Sequence, residues 1–134
     1  MIYMLDTDIC IFIIKRKPLN VLRRLELMPP NSLGMSVITF AELMNGAKKS
    51  QHVKANVERL NALGELLDIR AFDKKAAIVY GDIRSSLEKR GEVIGGNDLL
   101  IAAHALSLGW ALVTNNEKEF RRVEGLKVEN WVTA

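Results

Sequence analysis

Short apolar runs alternate with stretches of helical periodicity along the chain, and this alternation most restricts what the chain can fold into. Ile2-Tyr3-Met4-Leu5 is an apolar run halted by Asp6-Thr7-Asp8, the pattern of a strand buried on both faces of a parallel sheet. Residues 33–37, 67–69, 111–114 and 127–131 read as further short strands. Between them, apolar spacing predicts helices over 9–15, 19–28, 39–47, 53–63, 73–90, 99–108 and 115–123, with Gly91 and Gly109 as natural stops. Strands joined by helices in this way predict a three-layer α/β/α domain around a central, mostly parallel sheet of four to five strands with right-handed connections. The 134 residues suit one domain over 1–134.

Composition narrows the function classes. With 49% apolar and 26% charged residues, a disordered chain is excluded. Cys10 is the only cysteine, which excludes an intramolecular disulfide and a cysteine-rich zinc site. No basic segment followed by an apolar stretch opens the chain, and no run is long enough to span a bilayer, so a cytoplasmic protein without a membrane partner is expected. The net charge of +3 permits binding to a polyanion and does not by itself demonstrate it.

In open parallel sheets the ligand crevice lies beyond the carboxyl ends of the strands. Asp6 follows the first strand, Glu42 falls in the first turn of the helix after the second, Asp98 opens a nearly all-apolar helix, and Glu119 follows the strand ending at Thr114. Local capping explains each acid singly. Asp6 or Asp8 suits an N-cap, Thr39-x-x-Glu42 and Asn116-x-x-Glu119 read as capping boxes, and Asn97 reads as a cap with Asp98 beside the helix dipole. It does not explain why four carboxylates share one rim. Two like charges at ~4 Å cost on the order of 1 kcal/mol in water and several-fold more at a protein surface. A divalent cation removes that conflict, and an oxygen-only donor set favours Mg²⁺, or Mn²⁺, over zinc. Phosphodiester hydrolysis is the chemistry such a site most often serves. His104, inside the apolar helix, reads as a packed, hydrogen-bonded histidine.

Four blocks carry a resemblance. Met4-Leu5-Asp6-Thr7-Asp8-Ile9, Ser36-Val37-Ile38-Thr39-x-Ala41-Glu42-Leu43-x-x-Gly46-Ala47, Ile94-Gly95-Gly96-Asn97-Asp98-x-x-Ile101-Ala102-x-His104-Ala105 and Val113-Thr114-Asn115-Asn116-x-x-Glu119-Phe120 resemble PIN-domain proteins, and more closely the VapC toxins of bacterial toxin–antitoxin modules. The resemblance implies a PIN-like α/β/α fold and a Mg²⁺-dependent endoribonuclease that leaves 5′-phosphate and 3′-hydroxyl ends. It further implies a homodimer inhibited by a cognate VapB antitoxin, with operator DNA contacted only through that antitoxin. The enteric-type subgroup it looks most like cuts initiator tRNA in the anticodon stem-loop. On the family pattern Asp6 and Asp98 bind the ion, and Glu42 and Glu119 complete the catalytic cluster. Relatives carry an acid where Asn116 stands and again where Glu119 stands, so Glu119 is assigned as the fourth acid with Asn116 a polar contributor, and the number of ions stays open. Thr7 and Thr114 would orient the carboxylates, with Asp8 and Asn115 as neighbours of the site.

An RNA substrate calls for cations on the same rim. The candidates are Lys15, Lys17, Lys48, Lys49, Arg84, Lys89 and Arg90, each of which also suits an ordinary solvated surface. Ile11, Phe12, Ile14, Leu22 and Leu25 are candidates for an antitoxin groove, although core packing accounts for most of them. Two other readings are available. A receiver-type signalling domain would need Asp68 or Asp73 as phosphoacceptor and leaves Glu42 and Asp98 unexplained. A catalytically idle PIN scaffold leaves the intact acidic set without a purpose.

Overall fold

The computed structural model describes residues 2–133. In chain order the elements are β1 (Tyr3–Leu5), α1 (Thr7–Lys15), α2 (Leu19–Glu26), β2 (Leu33–Ser36), α3 (Val37–Lys48), α4 (Val53–Leu66), β3 (Asp68–Arg70), α5 (Lys74–Arg90), α6 (Gly96–Leu108), β4 (Ala111–Val113), α7 (Glu117–Phe120) and β5 (Val128–Glu129). The strands form one sheet in the order β3-β2-β1-β4-β5, and every pairing is parallel. The chain builds outward from β1 through β2 to β3, then crosses to the other side of β1 for β4 and β5. That reversal creates a switch point between β1 and β4, where crevices of open α/β sheets form.

Strand alternation divides the core. Met4 and its register partner Leu112 point into the layer containing α5 and α6, whereas Leu5 and its partner Val113 point into the layer of α1, α3 and α4. All four side chains are fully buried, and such burial contributes about 1.5–3 kcal/mol each. Helix α6 has Leu99 and Ile101 to Ala105 buried in succession, which explains its lack of an apolar stripe. Gly91, with φ +67°, closes α5 in the left-handed conformation that glycine adopts without strain.

The predicted elements all occur, with several boundaries displaced. Helix α3 starts at Val37 because Ser36, the last residue of β2, caps it by accepting from the Ile38 N–H at 3.1 Å. Thr39 is therefore a buried residue within the helix rather than its cap, and Glu42 lies beyond the first turn. Gly95, not Asn97, stands at the N-cap of α6. Asn116 occupies the N-cap position of α7 without a side-chain capping bond, so the second expected capping box also fails. The last strand is only Val128–Glu129; Trp131, expected within it, packs edge-on against Tyr3 with ring centroids 6.1 Å apart.

Gly34 of β2 lies beneath Trp110. A Cβ there would stand 2.8 Å from the Asp68 carbonyl oxygen and 2.8 Å from the Trp110 ring. Gly34→Ala is therefore expected to destabilise the fold by about 1–3 kcal/mol in urea unfolding; unchanged stability would contradict this packing.

Candidate active site at the carboxyl edge of the sheet

Asp6 directly follows the central strand. Its backbone N–H donates to the Val113 carbonyl at 2.9 Å, extending the β1–β4 pairing, while its side chain turns into the crevice. Only 5% of Asp6 is exposed. One carboxylate oxygen accepts from the Thr7 N–H at 2.8 Å, capping α1, and the other accepts from the Thr114 hydroxyl at 2.7 Å. Thr114, fully buried, in turn accepts from the Asn116 N–H at 2.9 Å, which fixes its hydroxyl. These bonds favour the charged form, yet burial first and the neighbouring Asp8 charge second push the Asp6 pKa up to about 7.

Asp98 is the third residue of α6 and half-buried. Burial, followed by the charges of Glu119, Glu42 and Asp8, pushes its pKa up to about 6. Asp8 accepts from the Asn115 N–H at 3.0 Å with one oxygen; its other oxygen is buried with no hydrogen-bond partner among the described residues. Burial also raises its pKa. A buried carboxylate oxygen without a donor is costly.

Glu42 is held at both oxygens. Thr7 donates its hydroxyl to Oε1 at 2.7 Å, and Asn97 donates its amide to Oε2 at 3.2 Å. The Thr7 hydroxyl also lies 3.3 Å from that of Thr39. Glu119 accepts from the Asn116 amide at 3.0 Å, so these two candidates for the fourth position form one unit. Asn115 further accepts from the Asn130 amide at 3.2 Å. Asn97 and Thr39 escaped the sequence reading of the site because both resembled helix caps. Asn97's position next to Asp98 was the available signal.

The structure thus brings Asp6, Asp8, Glu42, Asp98 and Glu119 close enough for their charges to be coupled. Among the described residues, no group of three or more His, Cys, Asp or Glu side chains is arranged so that together they could hold a metal ion. The donor set nevertheless fits a hard cation: all its donors are oxygens, the buried Asp8 oxygen is unpartnered, and Mg²⁺ typically takes one or two carboxylates and retains waters.

The remaining candidates divide by place. Lys15 borders a cleft with Thr7 and Glu42, and Lys49 borders another that also includes Asn97. Arg90 donates to the Arg122 carbonyl at 2.6 Å, just past α7, and sits 3.6 Å from Glu92. Arg84 bonds Tyr80 and Glu88 on its own helix. Lys17, Lys48 and Lys89 are exposed, with no contact that links them to the carboxylates. His104 is buried; its Nδ1 lies 2.7 Å from the Ser36 hydroxyl and its ring meets Phe72 edge-on, and burial lowers its pKa. It ties α6 to the start of α3. Cys10 is buried, and burial raises its thiol pKa, which suits a packing role. Asp73 caps α5 and Asp68 pairs with Arg70, so both acids that a receiver domain would need are otherwise engaged.

Comparison with known proteins agrees with this geometry. The PIN domain family model matches residues 3–126. The chain is 44% identical over 132 residues to ribonuclease VapC2 of Rickettsia felis, covering 98% of each chain. It is 42% identical over 129 residues to the tRNA(fMet)-specific endonuclease VapC of Shigella flexneri, covering 96% of this chain and 97% of the relative. The solved structure of VapBC2 from Rickettsia felis bound to a DNA fragment from their promoter superimposes with a TM-score of 0.92 at 43% identity, over 98% of this chain and 99% of that one. With the fold, the acidic rim and near full-length similarity in agreement, this chain belongs to the PIN-domain family, within its VapC group.

Proposed function

We propose that this protein is the toxin of a type II toxin–antitoxin module, a Mg²⁺-dependent endoribonuclease acting on tRNA, with the initiator tRNA anticodon stem-loop as its target. The observation that carries this reading is the gathering of acids from separate elements at one edge of the sheet: Asp6 bonded to Thr114 after β4, Asp8 to the Asn115 N–H, and Glu42 of α3 to Thr7 of α1 and to Asn97 beside Asp98 of α6. Its likeness to a tRNA(fMet)-specific endonuclease supports the substrate, and its likeness to a VapBC structure supports a VapB-type antitoxin as inhibitor. The cleft between α1, α2 and α4, lined by Ile14, Leu22, Leu25, Leu63 and Leu66, offers such a partner an apolar seat. Homodimerisation, a cytoplasmic location and contact with operator DNA through the antitoxin complete the reading; among the described residues no helix is long and apolar enough to cross a membrane.

Bound Mg²⁺, or Mn²⁺, would supply charge neutralisation at the phosphate and a more acidic water. Asp6 and Asp98 would hold the ion. Thr114 and the Thr7 N–H fix the Asp6 carboxylate, so its orientation is set before substrate arrives. Thr7 and Asn97 likewise keep Glu42 facing the crevice, and Asn116 keeps Glu119 in place. The protein's part is to preorganise negative charge with neutral donors that do not compete with it for a cation.

Purified protein is expected to cut tRNA with Mg²⁺ and to stop in excess chelator, and Asp6→Asn or Asp98→Asn should each lower the rate by roughly 100-fold or more. Expression of the wild type, and not of Asp98→Asn, should arrest bacterial growth. Equal cutting by wild type and variants, or cutting that survives the chelator, would sink the metal-site reading.

Stability provides a second test. Asp6 and Asp98 have folded-state pKa values above the ordinary 3.8, so between about pH 4 and 7 the folded protein binds more protons than the unfolded chain. Without divalent ions, stability should be highest below this window and fall as pH rises through about 6 and then about 7. Asp6 accounts for on the order of 4 kcal/mol. Thermal melts at neutral pH should then rise on addition of Mg²⁺. Stability that climbs with pH in metal-free buffer would contradict the carboxylate coupling.

A further inference from the structure

Helix α3 contains a glycine that the fold does not require. Gly46 lies in the last turn of the helix, which ends at Lys48; its φ is not positive, and a Cβ built on it meets nothing within 4 Å. Gly34 is obliged by the Asp68 carbonyl and the Trp110 ring, and Gly91 by its left-handed backbone. Neither reason applies at Gly46, where alanine or glutamine would be the better helix former.

Its surroundings give a different reason. Two clefts open from Glu42, and Thr7, Glu42 and Gly46 border both. The first, about 520 Å³, passes Asn97 and Asn45 to Lys49. The second passes Lys15 above apolar Ile11 and Leu60. Both lysines and Gly46 are exposed, and neither lysine forms an ion pair among the described residues. The two clefts thus meet at Thr7, Glu42 and Gly46, with a lysine bordering each and bare backbone where they join.

We infer that Gly46 is the floor of the track along which a single RNA strand passes the carboxylates, its missing side chain letting the sugar–phosphate chain lie against α3 between Lys15 and Lys49. The inference rests on the nuclease reading and adds where the substrate runs. Phosphates supply the repeated negative charge that two cations without an ion pair attract. A side chain at position 46 would rise into this path without touching the protein.

Fluorescence anisotropy with a short labelled RNA oligonucleotide, with Ca²⁺ in place of Mg²⁺, tests the track. Gly46→Gln should weaken binding by about tenfold or more. Gly81→Gln, the same change at an open position in α5, should bind as the wild type does. Both variants should melt at or above the wild-type temperature, since each replaces a helical glycine. Wild-type affinity in Gly46→Gln overturns the inference and is also the result expected if the clefts serve a peptide. An equal loss in Gly81→Gln, or a loss that accompanies a lower melting temperature, overturns it as well. Mg²⁺-dependent cleavage by the wild type separates the two readings: cleavage with unimpaired RNA binding by Gly46→Gln fails only the track, whereas a wild type that neither binds nor cuts RNA fails both.

Discussion

Repulsion between the buried Asp6 and the half-buried carboxylates around it is the constraint around which this molecule is organised. An ion-free carboxylate that is 5% exposed, as Asp6 is, loses most of its hydration, and the nearby Asp8 and Asp98 add like charge rather than compensation. A fold selected for stability alone would place an apolar residue here. The chain instead surrounds the cluster with neutral donors: the Thr114 and Thr7 hydroxyls, the Asn97 and Asn116 amides, and the Thr7 and Asn115 N–H groups. These hold the acids in place without discharging them. One buried Asp8 oxygen is left without a hydrogen-bond partner among the described residues.

The sheet makes this concentration possible. Parallel pairing of β1 with β4 sets Leu5 beside Val113, so the residues that follow, Asp6 and Thr114, meet at the switch point. Helices α1 and α3 begin almost where their strands end, which delivers Thr7 and Thr39 to the same rim. Helix α6 has no strand directly before it, and its placement depends on its buried surface. His104 bonded to Ser36 links α6 to the cap of α3, and Asn97 reaches from its first turn to Glu42. The apolar layers on both faces of the sheet therefore set the geometry of the polar edge between them.

How much of this was legible in the sequence depended on the range of the interaction concerned. The central strand could be read because burial on both faces leaves the unbroken apolar run Tyr3-Met4-Leu5, and Asp6 and Asp98 could be read because they stand at the end of that strand and the start of the apolar helix, whereas Glu42 and Glu119 lie within the helices that follow β2 and β4. Helix starts were less legible. Ser36 and Thr39 are both competent caps, and the choice between them is made by β2 running straight into α3 and by His104 arriving from a residue distant in the chain. Asn97 was read as a cap because its partner, Glu42, lies far away in sequence. Which lysines share the rim is likewise a matter of packing: Lys15 and Lys49 border the two clefts while Arg84 turns back onto its own helix, and periodicity alone does not separate them. The net charge of +3 concealed a comparable division, with acids gathered in one crevice and a more basic surface elsewhere.

The central claim, that the carboxylates form a cation site through their joint placement, is tested most directly by electron paramagnetic resonance of Mn²⁺ titrated into metal-free protein at neutral pH. The account predicts that the wild type removes the signal of free Mn²⁺, that Mg²⁺ competes for the same site, and that Asp6→Asn and Asp98→Asn each weaken binding by about tenfold or more. Wild type and both variants retaining Mn²⁺ equally, or none of them binding it, would contradict the account.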